Sequence, residues 1–140
     1  MVEIVTPEVA LWSGEATALI ARSSDGDFTI LAQHTATVGD VVPGVVRVQT
    51  TDGELAFAVH GGYFQVGPDD ADGVTRATVL AGVAERTTAI DVVRAQSAKE
   101  RALAELAGLN KGDGVDHGTS QLASAALERA ELRLRAASSS

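Results

Sequence analysis

Side chains able to do covalent or proton-transfer chemistry are sparse in this 140-residue chain, and their spacing does not bring them together. The three histidines, His34, His60 and His117, fall in three separate segments, with no pair on one helical face as a zinc site of the His-Glu-x-x-His kind requires. There is no cysteine, hence no thiol nucleophile, no thiolate metal site and no disulfide framework. A Walker phosphate loop and a Gly-x-Ser-x-Gly nucleophile elbow are also missing. Acids gather at Asp25/Asp27 and at Asp69/Asp70/Asp72, which would offer oxygen ligands to calcium. They stand among Gly, Ser and Pro, where short acids make turns, and are read as solvated turn residues, with no metal site. Gly61-Gly62 is read as a turn or bulge needing positive φ, because no helix start follows it to cradle a phosphate. His60 ends an apolar run and His117 lies in a Gly-rich stretch, so both read as structural or solvated. His34, in the loop after Leu31, is equally open to a contact role. No catalytic residue and no required cofactor are expected; contacts are.

Composition narrows the kinds of contact. Hydrophobic residues make up 45% of the chain and aromatics only 4%, so a core is affordable and must be mostly Val, Leu, Ile and Ala. A formal charge of -8 and a pI near 4.7 repel phosphate backbones and anionic head groups, which excludes nucleic acid as a partner. The start carries Glu3 and no basic region, unlike a signal peptide. The Val-rich run 38–48 is broken by Gly39, Asp40, Pro43, Gly44 and Arg47, far short of the roughly 20 apolar residues a membrane span needs. An intracellular chain without direct membrane insertion is expected.

The elements that position these residues change character at Arg86. Residues 1–86 hold twelve acidic and four basic groups, a net -8; residues 87–140 hold seven of each. All three prolines, all three Phe, the Trp and the Tyr belong to the first part, while Ala, Leu, Arg and Ser dominate the second. Two modules are predicted: a β-sandwich over 1–86 and a helical hairpin over 87–140.

The first module alternates short apolar runs with Gly, Pro and Asp clusters at the spacing of an all-β sandwich. Strands are predicted at 2–6, ending at Pro7; at 8–12, ending in a turn at Ser13-Gly14; at 16–23; and at 28–31. Val46 and Val48 alternate with Arg47 and Gln49 before Asp52-Gly53, and Leu55, Phe57 and Val59 share a face beyond it, so a hairpin is predicted there. Runs 63–66 and 74–83 follow. About ten short segments in 86 residues imply two packed antiparallel sheets, and with the helices an α+β chain.

Beyond Arg86 the period becomes helical. Residues 88–107 lack Gly and Pro, with Thr88 three residues before Asp91 at capping-box spacing and Gly108 as the stop. A Gly-rich linker, 108–118, separates this helix from a second at 120–136, in which Leu127, Ala130 and Leu134 recur on one side. Ala-rich helices with narrow Leu and Val stripes bury little area and are held weakly.

The order of these segments resembles the epsilon subunit of the F-type ATP synthase, called delta in mitochondria. The resemblance is carried by Leu11-Trp12-Ser13-Gly14-Glu15-Ala16, the run from Asp25-Gly26-Asp27-Phe28 through Thr29-Ile30-Leu31-Ala32-Gln33-His34, Pro43-Gly44-Val45-Val46-Arg47, His60-Gly61-Gly62-Tyr63-Phe64-Gln65-Val66 and Val79-Leu80-Ala81, followed by the helical pair. Where the family has Gly-Ile-Leu-Pro-Gly-His-Ala-Pro, this chain has Thr29-Ile30-Leu31-Ala32-Gln33-His34-Thr35-Ala36.

The resemblance implies a non-catalytic rotor subunit, peripheral on the cytoplasmic face of the cell membrane. Its sandwich would bind the gamma subunit and the ring of c subunits, with Asp25, Asp27 and His34 at the ring-facing end. Its helices would brake ATP hydrolysis, with Arg129, Arg133 and Arg135 giving a basic side suited to the acidic surface of the alpha/beta catalytic hexamer. Ile90-Asp91-Val92-Val93-Arg94-Ala95 is similar to the Ile-Asp-x-x-Arg-Ala signature of members that bind ATP as a regulatory ligand, and Glu85 and Arg101 fall at matching positions. The same residues also read as purely structural, Asp91 capping its helix and pairing with Arg94. The ATP-binding members carry arginines near the C-terminus, where this chain runs Ala136 to Ser140. Two other classes fit the composition: a free-standing protein-binding sandwich, and a small hydrolase built on His34 or His60, for which no nucleophile is evident.

Overall fold

The hairpin expected at Asp52-Gly53 is present in the computed structural model, which describes residues 1–68, 74–109 and 117–138. The strands are β1 (Val2–Val5), β2 (Ala10–Gly14), β3 (Ala18–Ser23), β4 (Gly26–Leu31), β5 (Thr37–Val41), β6 (Gly44–Thr50), β7 (Gly53–Val59), β8 (Gly62–Pro68), β9 (Thr75–Ala81) and β10 (Ala84–Arg86). A 3-10 turn, Thr87–Ala89, leads to helices α1 (Val92–Leu109) and α2 (His117–Ser138). The chain divides into two compact units, Met1–Thr87 and Thr88–Ser140. The acidic loop 69–73 and linker residues 110–116 lie outside the described residues, as do the side chain of His117 and the last two serines.

The first unit is the expected sandwich. One sheet runs in the order β2-β1-β9-β8-β5 and the other β10-β7-β6-β3-β4. Every ladder is antiparallel except β1 with β9, which is parallel, pairing Ile4 with Val79. Two-residue alternation turns Ile4, Leu19, Val46, Val48, Phe57, Val59 and Val79 inward, each essentially without exposure. Burial of each such side chain contributes about 1.5–3 kcal/mol. Phe28 and Phe64 meet there with ring centroids 4.4 Å apart, and Arg86 lies over the Phe57 ring at 5.9 Å.

Two glycines explain departures from the sequence reading. Ser13-Gly14 is not a turn but the end of β2, because a Cβ on Gly14 would come 2.9 Å from the Trp12 ring; the glycine seats the indole. β5, within the run that reads as interrupted, is a strand because its Gly39 leaves room for the Phe64 ring across the ladder. Gly61 and Gly62 do have positive φ, 95° and 156°, and a Cβ on Gly62 would collide with the Leu80 carbonyl oxygen.

In the second unit α1 and α2 pack against each other. Ala95, Ala98, Ala102 and Leu106 share one stripe of α1, and Ala123, Ala126, Leu127 and Ala130 one stripe of α2; only the alanines 95, 102, 123 and 130 are fully buried. Leu127 and Leu134 are half-buried, whereas Leu132, off the expected stripe, is buried. α1 starts at Val92, not at Thr88, because Asp91 is itself the cap: its carboxylate accepts from the Arg94 amide at 3.0 Å. Thr88 therefore opens no capping box. Gly108 does not stop α1, which continues to Leu109.

Candidate docking surfaces and regulatory residues

The expected contact residues Asp25, Asp27 and His34 do not form one surface. Asp25 sits in the β3–β4 turn and Asp27 just past it, whereas His34 follows the far end of β4. Six extended residues of β4 keep the two groups roughly 17 Å apart along the strand. Asp27 is engaged across the ladder by Arg22, whose Nε donates at 2.7 Å. That hydrogen bond, then the charge itself, holds the Asp27 carboxyl below its usual pKa and raises that of Arg22. The turn is fastened to the other sheet by Asp40, whose two oxygens accept from the Ser24 amide and hydroxyl, each at 3.1 Å. His34 is exposed; its amide donates to Leu31 O at 3.2 Å, and its Nδ1 lies 2.8 Å from the Thr35 carbonyl oxygen.

A surface that sequence reasoning missed lies on the outer face of the first sheet. Register places Val5, Leu80, Tyr63 and Asp40 in one row across β1, β9, β8 and β5, and Glu3, Thr78, Gln65 and Val38 in the next. Tyr63 is 65% exposed, Val38 73% and Leu80 46%. Its acids are engaged: Arg76 donates to Glu3 at 2.7 Å, and Asp40 accepts from Ser24. In a module carrying all of the excess negative charge, the exposed strip of Val38, Tyr63 and Leu80 is suited to a protein contact. The signal was present in the alternation of Tyr63-Phe64-Gln65-Val66, where Phe64 and Val66 are buried and Tyr63 is left outside.

The second set, Glu85, Asp91, Arg94 and Arg101, divides between the two units. Glu85 is in β10, half-buried, with Oε1 4.0 Å from Nε2 of the buried His60. Asp91 serves as the α1 cap. Arg94 and Arg101 are exposed and seven residues apart, nearly two helical turns, so they stand on one stripe of α1 about 10 Å apart along its axis. Two cations at that spacing suit a polyanion.

The third set requires a correction. Arg129 and Arg133, four apart, share a side of α2, but at about 100° per residue Arg135 lies about 200° round the helix from Arg133. The three arginines make no common basic face. Arg129 and Arg135 are exposed and Arg133 is half-buried.

Among known proteins, residues 1–87 match the ATP synthase delta/epsilon chain β-sandwich domain, and residues 89–138 the long α-helix domain of the same chain. The chain belongs to the ATP synthase delta/epsilon family. It is 36% identical over 138 residues to the ATP synthase epsilon chain of Streptomyces avermitilis, covering 98% of this chain and 94% of that one. With the epsilon chain of Alkalilimnicola ehrlichii it shares 39% over 136 residues, covering 96% and 93%. Its fold is similar to a chain in the Euglena gracilis mitochondrial ATP synthase OSCP/F1/c-ring structure, with TM-score 0.74 and 23% identity over 97% of this chain and 79% of that one. A second likeness, TM-score 0.58 and 17% identity, is to a chain of the Tetrahymena thermophila central stalk and c-ring, covering 97% and 94%. As a family member it is an epsilon-type subunit of the F-type ATP synthase, part of an enzyme complex. Among its described residues no helix is long and apolar enough to cross a membrane.

Proposed function

We propose that this subunit is a non-catalytic element of the rotor that ties the gamma shaft to the ring of c subunits, and that its helical pair restrains ATP hydrolysis. It would act at the cytoplasmic face of the membrane, bound through its partners. The observation that carries the braking role is the unequal use of apolar surface in the second unit. Apart from Leu132, the fully buried apolar side chains of this unit are alanines, each contributing on the order of 1 kcal/mol, while Val92, Val93, Leu103 and Leu122 stay 45–77% exposed. The exposed apolar side chains leave a second arrangement something to bury, which is the condition for a two-state arm. For the sandwich, the outer row of Val5, Leu80 and Tyr63 is the surface suited to gamma, and the loop ends bearing His34 or Asp25 to the ring. Similar folds occur in structures that contain c-rings, which supports that placement.

On α2, Arg129 and Arg133 are the pair suited to acidic surfaces of the alpha/beta hexamer, with Arg135 acting separately. ATP as a regulatory ligand would be held chiefly by Arg94 and Arg101, because the Asp91 carboxylate is already committed to its cap.

Deleting residues 88–140 tests the brake. In membranes carrying the assembled complex, hydrolysis should rise while proton pumping stays coupled; unchanged hydrolysis would refute it. If pumping uncouples instead, the clamp is not confined to the sandwich.

A further inference from the structure

Where the end of β2 meets the β6–β7 turn, an open groove of about 460 Å³ lies between them. That volume falls within the range of about 300–1,000 Å³ typical of ligand clefts. Its apolar wall is Trp12 with Leu55, both packed on their inner side against the sandwich core. Gly14 lies against the ring closely enough to exclude a Cβ, so the indole is fixed in place. Its rim carries Glu15, Asp52 and Glu54.

These carboxylates are unequally committed. Glu54 accepts from Arg47 at 2.9 Å. The Glu15 carboxylate is 84% exposed, 3.9 Å from the Met1 amino group. Asp52 has no cation within 4 Å among the described residues, although its own amide is held by the Thr50 hydroxyl at 3.2 Å. A fixed indole face beside carboxylates with unused oxygens matches a planar cation: a guanidinium stacks on the ring and forks onto a carboxylate, which a compact ammonium does less well. The groove is also larger than one guanidinium, leaving space for the peptide that carries it.

We propose that this groove receives an arginine side chain from a segment of a partner protein, stacked on Trp12 and paired with Asp52 and Glu15. Every residue it uses belongs to the sandwich, so it stands independently of the braking role of the helices.

Trp12 is the only tryptophan and reports directly. The full chain at low salt is titrated with a blocked Gly-Arg-Gly peptide, the neutral isostere Gly-citrulline-Gly and Gly-Lys-Gly, following Trp12 emission and its indole N–H resonance. The arginine peptide should give a saturable change with a dissociation constant on the order of 1 mM, lost as salt is added. The double variant Asp52→Asn, Glu15→Gln, which alters only exposed side chains, should weaken it by about tenfold with unchanged circular dichroism. An equal response to the citrulline peptide, no saturation at tens of millimolar, or wild-type affinity in the double variant would overturn the site. Equal affinity for the lysine peptide would overturn the guanidinium assignment.

Discussion

The Gln33 amide donates to the hydroxyl of Thr75 at 3.0 Å, tying the loop after β4 to the start of β9, and Gln33 does so with φ at 62°. It is the one non-glycine among the described residues with positive φ. The bend is held by a left-handed residue that carries a side chain, at a cost of about 1–2 kcal/mol.

Gln33→Gly should therefore stabilise the chain by up to about 1 kcal/mol, the strain relieved being partly offset by the greater freedom of glycine when unfolded. Gln33→Val should destabilise it. Urea unfolding of both variants decides; a less stable glycine variant would show that the loop is unstrained.

Gly62→Ala is expected to cost more than about 2 kcal/mol, because the new methyl would meet the Leu80 carbonyl oxygen at the end of the β8–β9 ladder. Gly67→Ala, in the same strand with open space around it, should cost far less. Similar losses at both sites would contradict the close approach.

Asp91→Ala should lower the stability of the helical unit by about 1 kcal/mol through loss of the cap, and Asp91→Asn should retain most of it. Calorimetry with ATP tests the proposed ligand role of the arginines that follow it. If ATP binds as proposed, Arg94→Gln with Arg101→Gln should abolish the binding while leaving the helix intact. Retained binding in that double variant would remove both arginines from the ligand site.

Asp27 has its carboxyl held low in the folded chain by Arg22, so its contribution to stability is present above the unfolded carboxylate pKa and is lost as pH falls through the lower folded value. Both groups are fully exposed, so the effect is small and screened by salt. In an NMR titration the Asp27 midpoint should move upward in Arg22→Gln and in high salt. A midpoint indifferent to both would mean that the pair does not persist in solution.

What was legible in the sequence was whatever depends on neighbours along the chain. The β6–β7 hairpin follows from Asp52-Gly53 and the alternation of Val46 and Val48, and the break near Arg86 follows from composition. What was not legible depends on partners distant in sequence. Gly14 reads as a turn residue and Gly39 as a break in an apolar run, yet each makes room for an aromatic ring. Asp25 and His34 look adjacent in a ten-residue stretch, yet β4 holds them at opposite ends. Arg129, Arg133 and Arg135 read as one basic cluster until the helical angle separates the last. The Tyr63 surface emerges only when β1, β9, β8 and β5 are set side by side, because no strand alone carries more than two of its apolar residues.

The parallel ladder between β1 and β9 governs the order of events during synthesis. β1 leaves the ribosome about 70 residues before β9, yet its place between two neighbours in the sheet depends on that strand, which ends at Ala81. Until β9 emerges, β1 has only its hairpin with β2, and an isolated two-stranded hairpin is marginal in water. Ile4 must wait with its apolar surface uncovered, and the sandwich closes through a contact more than 70 residues long, the kind of topology that folds in milliseconds to seconds. A nascent chain halted before residue 75 should therefore be protease-sensitive throughout, including strands whose local sequence is complete.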